Sequence, residues 1–281
     1  MAPRQIRVFT ENNDFQHAQV LRNNRQKRLR YREFVLEGVR PINLALKHGW
    51  KINSFYYSQD RGMSDWATAI LHESTAKLHV ELQPHLLAKL SAKTEPSELI
   101  AVVEMPSDRV ERVPITKDLL LVVFDRPGNP GNLGTLIRSC DALGASGLVM
   151  TGHAVDLYDP ETISASRGSL FALPTIRMPG PNDVVAWLGQ IQETIGPLQI
   201  IASDEDSERI VWNEDFRQPT VVLLGNEKWG LSAAYKQLAT ATMQIPMSGS
   251  ASSLNVAVAG SIILYEIRRQ RQGEEHFRRT Q

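Results

Sequence analysis

The stretch IPMSGSASSLNVAVAGSIILYEIRR, residues 245–269, joins two segments of opposite character. A short strand, Met243 to Ile245, is stopped by Pro246, which has no backbone N–H with which to extend a ladder. A loop of Ser, Gly and Ala follows, and its small side chains leave the backbone amides unobstructed. Beyond it Leu254, Val258, Ile262 and Tyr265 recur at helical spacing, with Ser252 or Ser253 as the expected cap. A small-residue loop feeding the start of a buried helix suits close approach by a ligand's polar groups. Alone, the same pattern also serves as ordinary punctuation between a strand and a helix.

Upstream, LLLVVF (119–124) is apolar without alternation, as expected of a strand buried on both faces of a parallel sheet. DRPGNPGNLG comes next, and a helix is predicted from about Thr135 to Leu143, ending at Gly144. GLVM, LQIIA and TVVLLG read as further buried strands, with helices near DVVAWLGQIQET and LSAAYKQLA between them. The pattern predicts an open, mostly parallel α/β domain over residues 119–281, with ligands bound at the carboxyl ends of its strands. Three polar loops lie at such ends, after Phe124, after Leu224 and after Ile245.

The earlier part of the chain alternates too. After an irregular start, Asp14 to Arg30 reads as one helix, Phe34 to Leu36 as a short strand and Pro41 to Lys47 as a helix. Strands INSFYYS, KLHVEL and LIAVVEM then alternate with helices DWATAILHES and PHLLAKLSA, which predicts a smaller α/β domain over residues 1–105. The charged, proline-bearing PSDRVERVPITKD (106–118) is the expected linker.

A chain of 281 residues can hold two cores, and its 42% hydrophobic and 22% charged composition is that of a globular protein. No apolar run reaches the roughly 20 residues a membrane-crossing helix needs, and MAPRQIRVFTENND has no secretory apolar core, so a cytoplasmic location is expected. The single cysteine, Cys140, excludes an internal disulfide framework and a multi-cysteine metal site. Within LGTLIRSCDALGA it reads as a buried small apolar residue rather than a nucleophile. The histidines include no H-x-x-x-H pair, and no metal is expected.

Formal net charge is zero but unevenly spread: residues 1–112 carry 17 Lys/Arg against 13 Asp/Glu, and residues 113–281 carry 14 against 18. RNNRQKRLRYR (22–32) concentrates the excess, and Arg22, Arg25, Lys27, Arg28 and Arg30 are candidates for contact with RNA phosphate. A solvated helix face is the alternative.

NPGNLGTLIRSCDALGA (129–145), LLGNEKWGLS (223–232) and the stretch from Ile245 form an ordered set, each placed after an apolar strand. In order and spacing the set resembles the SpoU/TrmH family of the SPOUT superfamily, RNA ribose 2'-O-methyltransferases that use S-adenosylmethionine. The resemblance covers about residues 119–270, and residues 30–100, with REFVLEGVRPINLAL, are more loosely similar to the family's small substrate-binding domain. It implies a trefoil knot, in which the C-terminal segment passes through a loop to build the cofactor site. It also implies a homodimer with active sites at the subunit interface, where the helix ending in LYEIRR would lie.

By position, Gly225, Ile245 and Leu254 match the family's cofactor contacts. Backbone groups of Leu224, Gly225, Ile245, Met247 and Leu254 could offer adenine an apolar slot and edge hydrogen bonds, with core packing the alternative for Ile245 and Leu254. Asn132, Arg138, Glu227, Ser253 and Asn255 match the family's polar active-site positions. Methyl transfer from a sulfonium to a ribose hydroxyl needs in-line placement and removal of the hydroxyl proton. The family is proposed to use the arginine to activate the hydroxyl, but a guanidinium stays charged. Arg138 is therefore expected to orient the hydroxyl and flanking phosphate and to stabilise developing alkoxide charge, the proton leaving to phosphate or water.

The alternative for Arg138 is a surface ion pair with Asp141. Glu227 could hold the loop amides or Arg138, or cap the next helix; Ser253 and Asn255 could cap the last helix, bond the ribose, or both. Asn129 and Asn132 could simply shape their turn. Lys228-Trp229 departs from the family, where small residues are common, and Trp229 could stack on an RNA base or pack against a partner subunit. In YDPETISASRGSLFALP (158–174), also similar to the family, Arg167 could contact RNA phosphate or, with Gly168, end a helix.

The resemblance thus implies a two-domain, dimeric, S-adenosylmethionine-dependent RNA 2'-O-methyltransferase, with ribosomal RNA ahead of transfer RNA as substrate and antibiotic resistance as one form of that role. A non-catalytic RNA-binding or ribosome-assembly protein is the rival, against which Arg138, Asn255 and the Gly225 loop count. A dinucleotide-binding enzyme is disfavoured because no G-x-G-x-x-G follows a strand.

Overall fold

The computed structural model describes residues 3–60 and 62–279, so the last two residues of the expected 119–281 domain lie outside the described ones. Its contacts separate into one unit of Met1–Ser107 with Tyr158–Pro160, and another of Asp108–Leu157 with Glu161–Gln281.

The first unit runs β1 (Arg4–Val8), α1 (Asn13–Asn23), α2 (Arg25–Tyr31), β2 (Glu33–Glu37), α3 (Val39–Lys47), β3 (Ile52–Tyr57), α4 (Asp65–Glu73), β4 (Leu78–Leu82), α5 (Pro84–Leu90) and β5 (Ile100–Glu104). Its sheet has the order β1-β4-β3-β5-β2, with β1, β4 and β3 parallel and β5 antiparallel to both its neighbours. Phe15, Ala18 and Leu21 of α1 and Leu86, Leu87 and Leu90 of α5 pack on Val80, Leu82, Ile100 and Val102. β1 replaces the irregular start expected from sequence: its pairing with β4 orders an edge strand in which only Val8 is buried.

The single helix expected over Asp14 to Arg30 is two. Asn24 is extended (φ −131°, ψ 107°); its N–H donates to the Val20 carbonyl and ends α1, while its side chain accepts from the Lys27 N–H and starts α2. The break turns two of the five cations inward. Arg28 is only 3% exposed; its guanidinium donates to the carbonyls of Leu21 and Arg22 at 2.9 Å each and lies 3.6 Å from the Asp159 carboxylate. Half-buried Arg22 donates to the carbonyls of Leu90 (2.9 Å) and Ser91 at the end of α5. For Arg28 this corrects the expected phosphate contact, since a buried guanidinium is retained by the carbonyls it satisfies, whereas half-buried Arg22 ties α1 to the end of α5. Arg25 and Arg30 are exposed and Lys27 is half-buried.

The second unit opens with a 3-10 turn, Val110–Arg112. Val113 is buried in this unit's core, and the Asp108 carboxylate accepts from Nε and Nη2 of Arg177 (3.0 and 2.7 Å), so the stretch expected as linker is packed here from Asp108 onward. Then follow β6 (Leu120–Asp125), α6 (Pro130–Ala142), β7 (Gly147–Thr151), α7 (Pro160–Ser166), α8 (Ser169–Ala172), β8 (Thr175–Met178), α9 (Pro181–Ile195), β9 (Gln199–Ser203), β10 (Thr220–Leu224), α10 (Ala233–Leu238), β11 (Ala241–Met243) and α11 (Val256–Arg279).

All pairings in this sheet are parallel, in the order β11-β9-β10-β6-β7-β8. Val184, Trp187, Leu188 and Ile191 of α9 and Tyr235 of α10 join the core built on Leu121, Val123, Val221 and Leu223. Elsewhere α6 and α11 pack together through small residues. A Cβ on Gly260 would stand 2.7 Å from Leu136 and 2.8 Å from Leu224, and one on Gly134 2.4 Å from the Thr162 carbonyl oxygen. The Ser139 and Ser261 hydroxyls, one from each helix, are 2.6 Å apart.

The topology fixes where a site belongs. β6 and β10 are neighbours, yet β6 continues to β7 on one side and β10 continues to β11 on the other. Their carboxyl ends therefore frame a switch-point crevice, the usual ligand position in open parallel sheets.

Candidate active site

α6 begins at Pro130 rather than near Thr135. Asn129 is extended and its side chain accepts from the Asn132 N–H at 2.9 Å, and Pro130 supplies the fixed φ favoured at a first helical position. Arg138 consequently stands in the third turn of the helix, not at its start. It is exposed and makes no hydrogen bond or ion pair among the described residues, including none with Asp141.

β11 ends at Met243, two residues before the expected end at Ile245, and Gln244 keeps an isolated bridge to Ile210. Ile245, half-buried, lies in the loop that follows. α11 starts at Val256, and its cap is Asn255, whose Oδ1 accepts from the N–H groups of Ala257 (2.9 Å) and Val258 (3.3 Å). Ser252 and Ser253 do not cap it: both are exposed, and neither makes a hydrogen bond among the described residues.

Three motifs meet through side-chain amides. Asn255 Nδ2 donates to Asn132 Oδ1 at 2.9 Å, Asn132 Nδ2 donates to Glu227 Oε1 at 3.1 Å, and the Gly128 N–H donates to Glu227 Oε2 at 3.0 Å. Asn132, Glu227 and Asn255 are thus brought together, each holding a loop from a different strand end. Glu227 holds a loop amide and Asn132, and it neither pairs with Arg138 nor caps α10.

The loop after β10 is held rigidly. Asn226 and Gly230 exchange backbone hydrogen bonds (3.1 and 2.9 Å), and Asn226 Oδ1 accepts from the N–H groups of Lys228 and Trp229. A Cβ on Gly225 would stand 2.4 Å from the carbonyl carbon of Gly230 and from the backbone nitrogen of Leu231, so only glycine permits this closure. Asn226 Nδ2 also donates to the Arg126 carbonyl at 2.6 Å. Arg126, in left-handed backbone (φ 51°), pairs through two hydrogen bonds of 3.0 and 2.9 Å with buried Asp125 and donates to the Gly230 carbonyl at 3.1 Å. Its hydrogen bond with Asp125 pushes the guanidinium above its ordinary range. The other Asp125 contact is the Ser232 N–H at 2.9 Å.

Sequence reasoning passed over this Asp125–Arg126–Asn226 clamp. Its signal was a D-R pair at the end of an apolar strand, easily taken for loop polarity. Below it Tyr235 donates to the Thr151 hydroxyl (3.1 Å), and burial pushes Tyr235 up to about 12. Cys140 is fully buried, and burial pushes its thiol well above the ordinary range, as suits a packing residue.

The residues matched to cofactor contact differ in exposure. Leu224 is buried at the strand end, whereas Met247 and Leu254 are 38% and 37% exposed. Among the described residues no hydrogen bond engages a main-chain group of residues 245–254. Open amides and carbonyls beside accessible apolar side chains fit an adenosine moiety, which needs an apolar slot and edge hydrogen bonds. The backbone clash at Gly225 means that Gly225→Ala should distort the loop after β10 and lower the thermal midpoint, measured by calorimetry. No group of three or more His, Cys, Asp or Glu suited to a metal occurs among the described residues.

Comparison with known proteins gives this geometry a family. Residues 119–265 match the SpoU rRNA Methylase family, and residues 12–101 match the SpoU L30e-like domain. A 23S rRNA (uridine(2479)-2'-O)-methyltransferase of Streptomyces viridochromogenes is 46% identical over 96% of this chain and 94% of its own. A 23S rRNA (guanosine(2553)-2'-O)-methyltransferase of Bacillus subtilis is 28% identical over 88% of this chain and 92% of its own. The crystal structure of the SpoU methyltransferase AviRb from Streptomyces viridochromogenes, in complex with AdoMet, matches with a TM-score of 0.88 at 47% identity, covering 93% of this chain and 99% of that one. Motif junction, sheet topology and near-full-length similarity agree: the chain belongs to the SpoU rRNA methylase family.

Proposed function

We propose that this chain transfers a methyl group from S-adenosylmethionine to a ribose 2'-hydroxyl of 23S rRNA, with a uridine as the target. The observation that carries the reading is the junction of Asn132, Glu227 and Asn255 beside the unengaged main chain of residues 245–254. The choice of uridine follows the relative at 46% identity, whose name specifies one.

When bound, S-adenosylmethionine supplies a methyl group on a positively charged sulfur. The backbone of Gly225, Ile245, Met247 and Leu254 grips its adenosine part. Asn132 and Asn255, fixed by each other and by Glu227, shape the ribose side of the crevice. Arg138 orients the hydroxyl and its flanking phosphate and stabilises the charge that grows on oxygen as the new C–O bond forms and the C–S bond breaks. Phosphate or water takes the hydroxyl proton. Exposed Ser253, in the same loop, would bond the ribose.

The working form is a homodimer. Val258, Ile262 and Tyr265 form an apolar stripe on α11 that is 46%, 37% and 61% exposed, while Ala257, Ile263, Leu264 and Ile267 of the same helix are buried. A stripe at i, i+4 and i+7 is the shape of a helix contact face. Association through α11 brings Arg138 of one protomer to the crevice of the other, which accounts for its lack of partners within the chain. Ile262→Glu should convert the dimer to a monomer and abolish transfer, as read by light scattering and a methylation assay.

Arg25, Lys27 and Arg30 of the first unit contact RNA phosphate, as does Arg167, which with Gly168 ends α7 in left-handed backbone (φ 53° and 98°) while its side chain stays exposed. The family resemblance implies a trefoil knot in which the C-terminal segment passes through a loop. Among the described residues no helix is long and apolar enough to cross a membrane, and the proposed substrate places the enzyme in the cytoplasm.

Incubating the protein with methyl-labelled S-adenosylmethionine and 23S rRNA tests the reading. Incorporation at one position is expected, and binding of both ligands without transfer would favour an assembly factor.

A further inference from the structure

Trp229 is 66% exposed, yet it stands on the tightly fixed loop described above, two residues from Glu227. The Lys228 ammonium lies 5.1 Å from the centre of its ring. A large aromatic held in water by a rigid loop has paid its ordering cost before any ligand arrives. From this we infer that Lys228 and Trp229 form a nucleotide clamp for the RNA substrate: the indole stacks on an unpaired base next to the methylated ribose, and the ammonium contacts the adjoining phosphate. The inference rests on the methyltransferase reading and adds two substrate-binding residues to it.

Two observations favour RNA over a partner subunit. The cation over one face of the ring would be costly to bury in an apolar protein contact, whereas a nucleotide offers a π face for the other side of the indole and an anion for the ammonium. The chain also carries a separate, uncharged face suited to self-association, namely Val258, Ile262 and Tyr265 of α11. Shape favours an unstacked base as well, because single-stranded RNA is read by stacking on aromatic side chains.

The test is the affinity of the full chain for labelled, deproteinised 23S rRNA by filter binding, with S-adenosylmethionine affinity and molecular mass measured on the same samples. Trp229→Ala is expected to weaken RNA binding roughly tenfold or more with cofactor affinity and mass unchanged. Trp229→Phe should restore most of the loss, and Lys228→Ala should reduce the salt dependence of binding. Unchanged RNA affinity in Trp229→Ala, or a loss accompanied by a lower mass, overturns the inference. Failure of the parent protein to transfer methyl would count separately against the catalytic reading, because binding is scored without turnover.

Discussion

Arg138→Ala is expected to slow methyl transfer by about 100- to 1,000-fold, the range observed when a positioned donor to a developing oxyanion is removed. S-adenosylmethionine affinity and thermal stability should stay close to those of the parent. That combination is informative because of where the residue sits. Arg138 is exposed on the third turn of α6 and has no partner among the described residues, so its removal breaks no internal bond. A surface arginine of no function would leave the rate unchanged. Single-turnover kinetics with saturating cofactor separates the outcomes. Arg138→Lys should recover only part of the rate, since a lysine keeps the charge but not the forked geometry.

Gly134→Ala addresses stability rather than chemistry. The added Cβ would meet the Thr162 carbonyl oxygen at 2.4 Å, the Ala165 Cβ at 2.6 Å and the Ser166 nitrogen at 2.9 Å, two of them backbone atoms with little freedom to yield. Overpacking of this kind costs about 1–3 kcal/mol, and the backbone contacts place this site at the upper end. A midpoint lowered by about 6 °C or more is expected for a chain of this size, measured by calorimetry. α6 must also shift relative to α7, which would move Asn132 and reduce transfer even below the melting range. An unchanged midpoint would mean that α6 and α7 are less closely apposed than described.

The second unit was legible because a parallel sheet covered on both faces writes continuous apolar runs, and LLLVVF, LQIIA and TVVLLG could hardly be read otherwise. β1 was hidden because only Val8 of its five residues is buried, and the arginines at positions 4 and 7 mask the alternation. Asn24 was hidden within a basic run with no Gly or Pro, since an asparagine that caps two helices resembles any polar helix residue. The start of α6 was placed late because Pro130 and Gly131 look like loop, although a proline after an extended asparagine opens a helix.

The motifs proposed Asn132, Glu227 and Asn255, and the structure joins their side chains by hydrogen bonds. What the motifs could not supply was the clamp of Asp125, Arg126 and Asn226, whose pairing depends on two strands far apart in sequence becoming neighbours. Composition also misled about Arg28, because charge count does not reveal which carbonyls a guanidinium will face.

The central step is a methyl group reaching a ribose oxygen, and nucleoside analysis of 23S rRNA treated with the protein and S-adenosylmethionine tests that most directly. The predicted result is a single 2'-O-methylated uridine whose 3' phosphodiester resists alkali and whose formation is lost in Arg138→Ala. A methyl group on a base, or RNA that remains unmodified while the cofactor is bound, would contradict it.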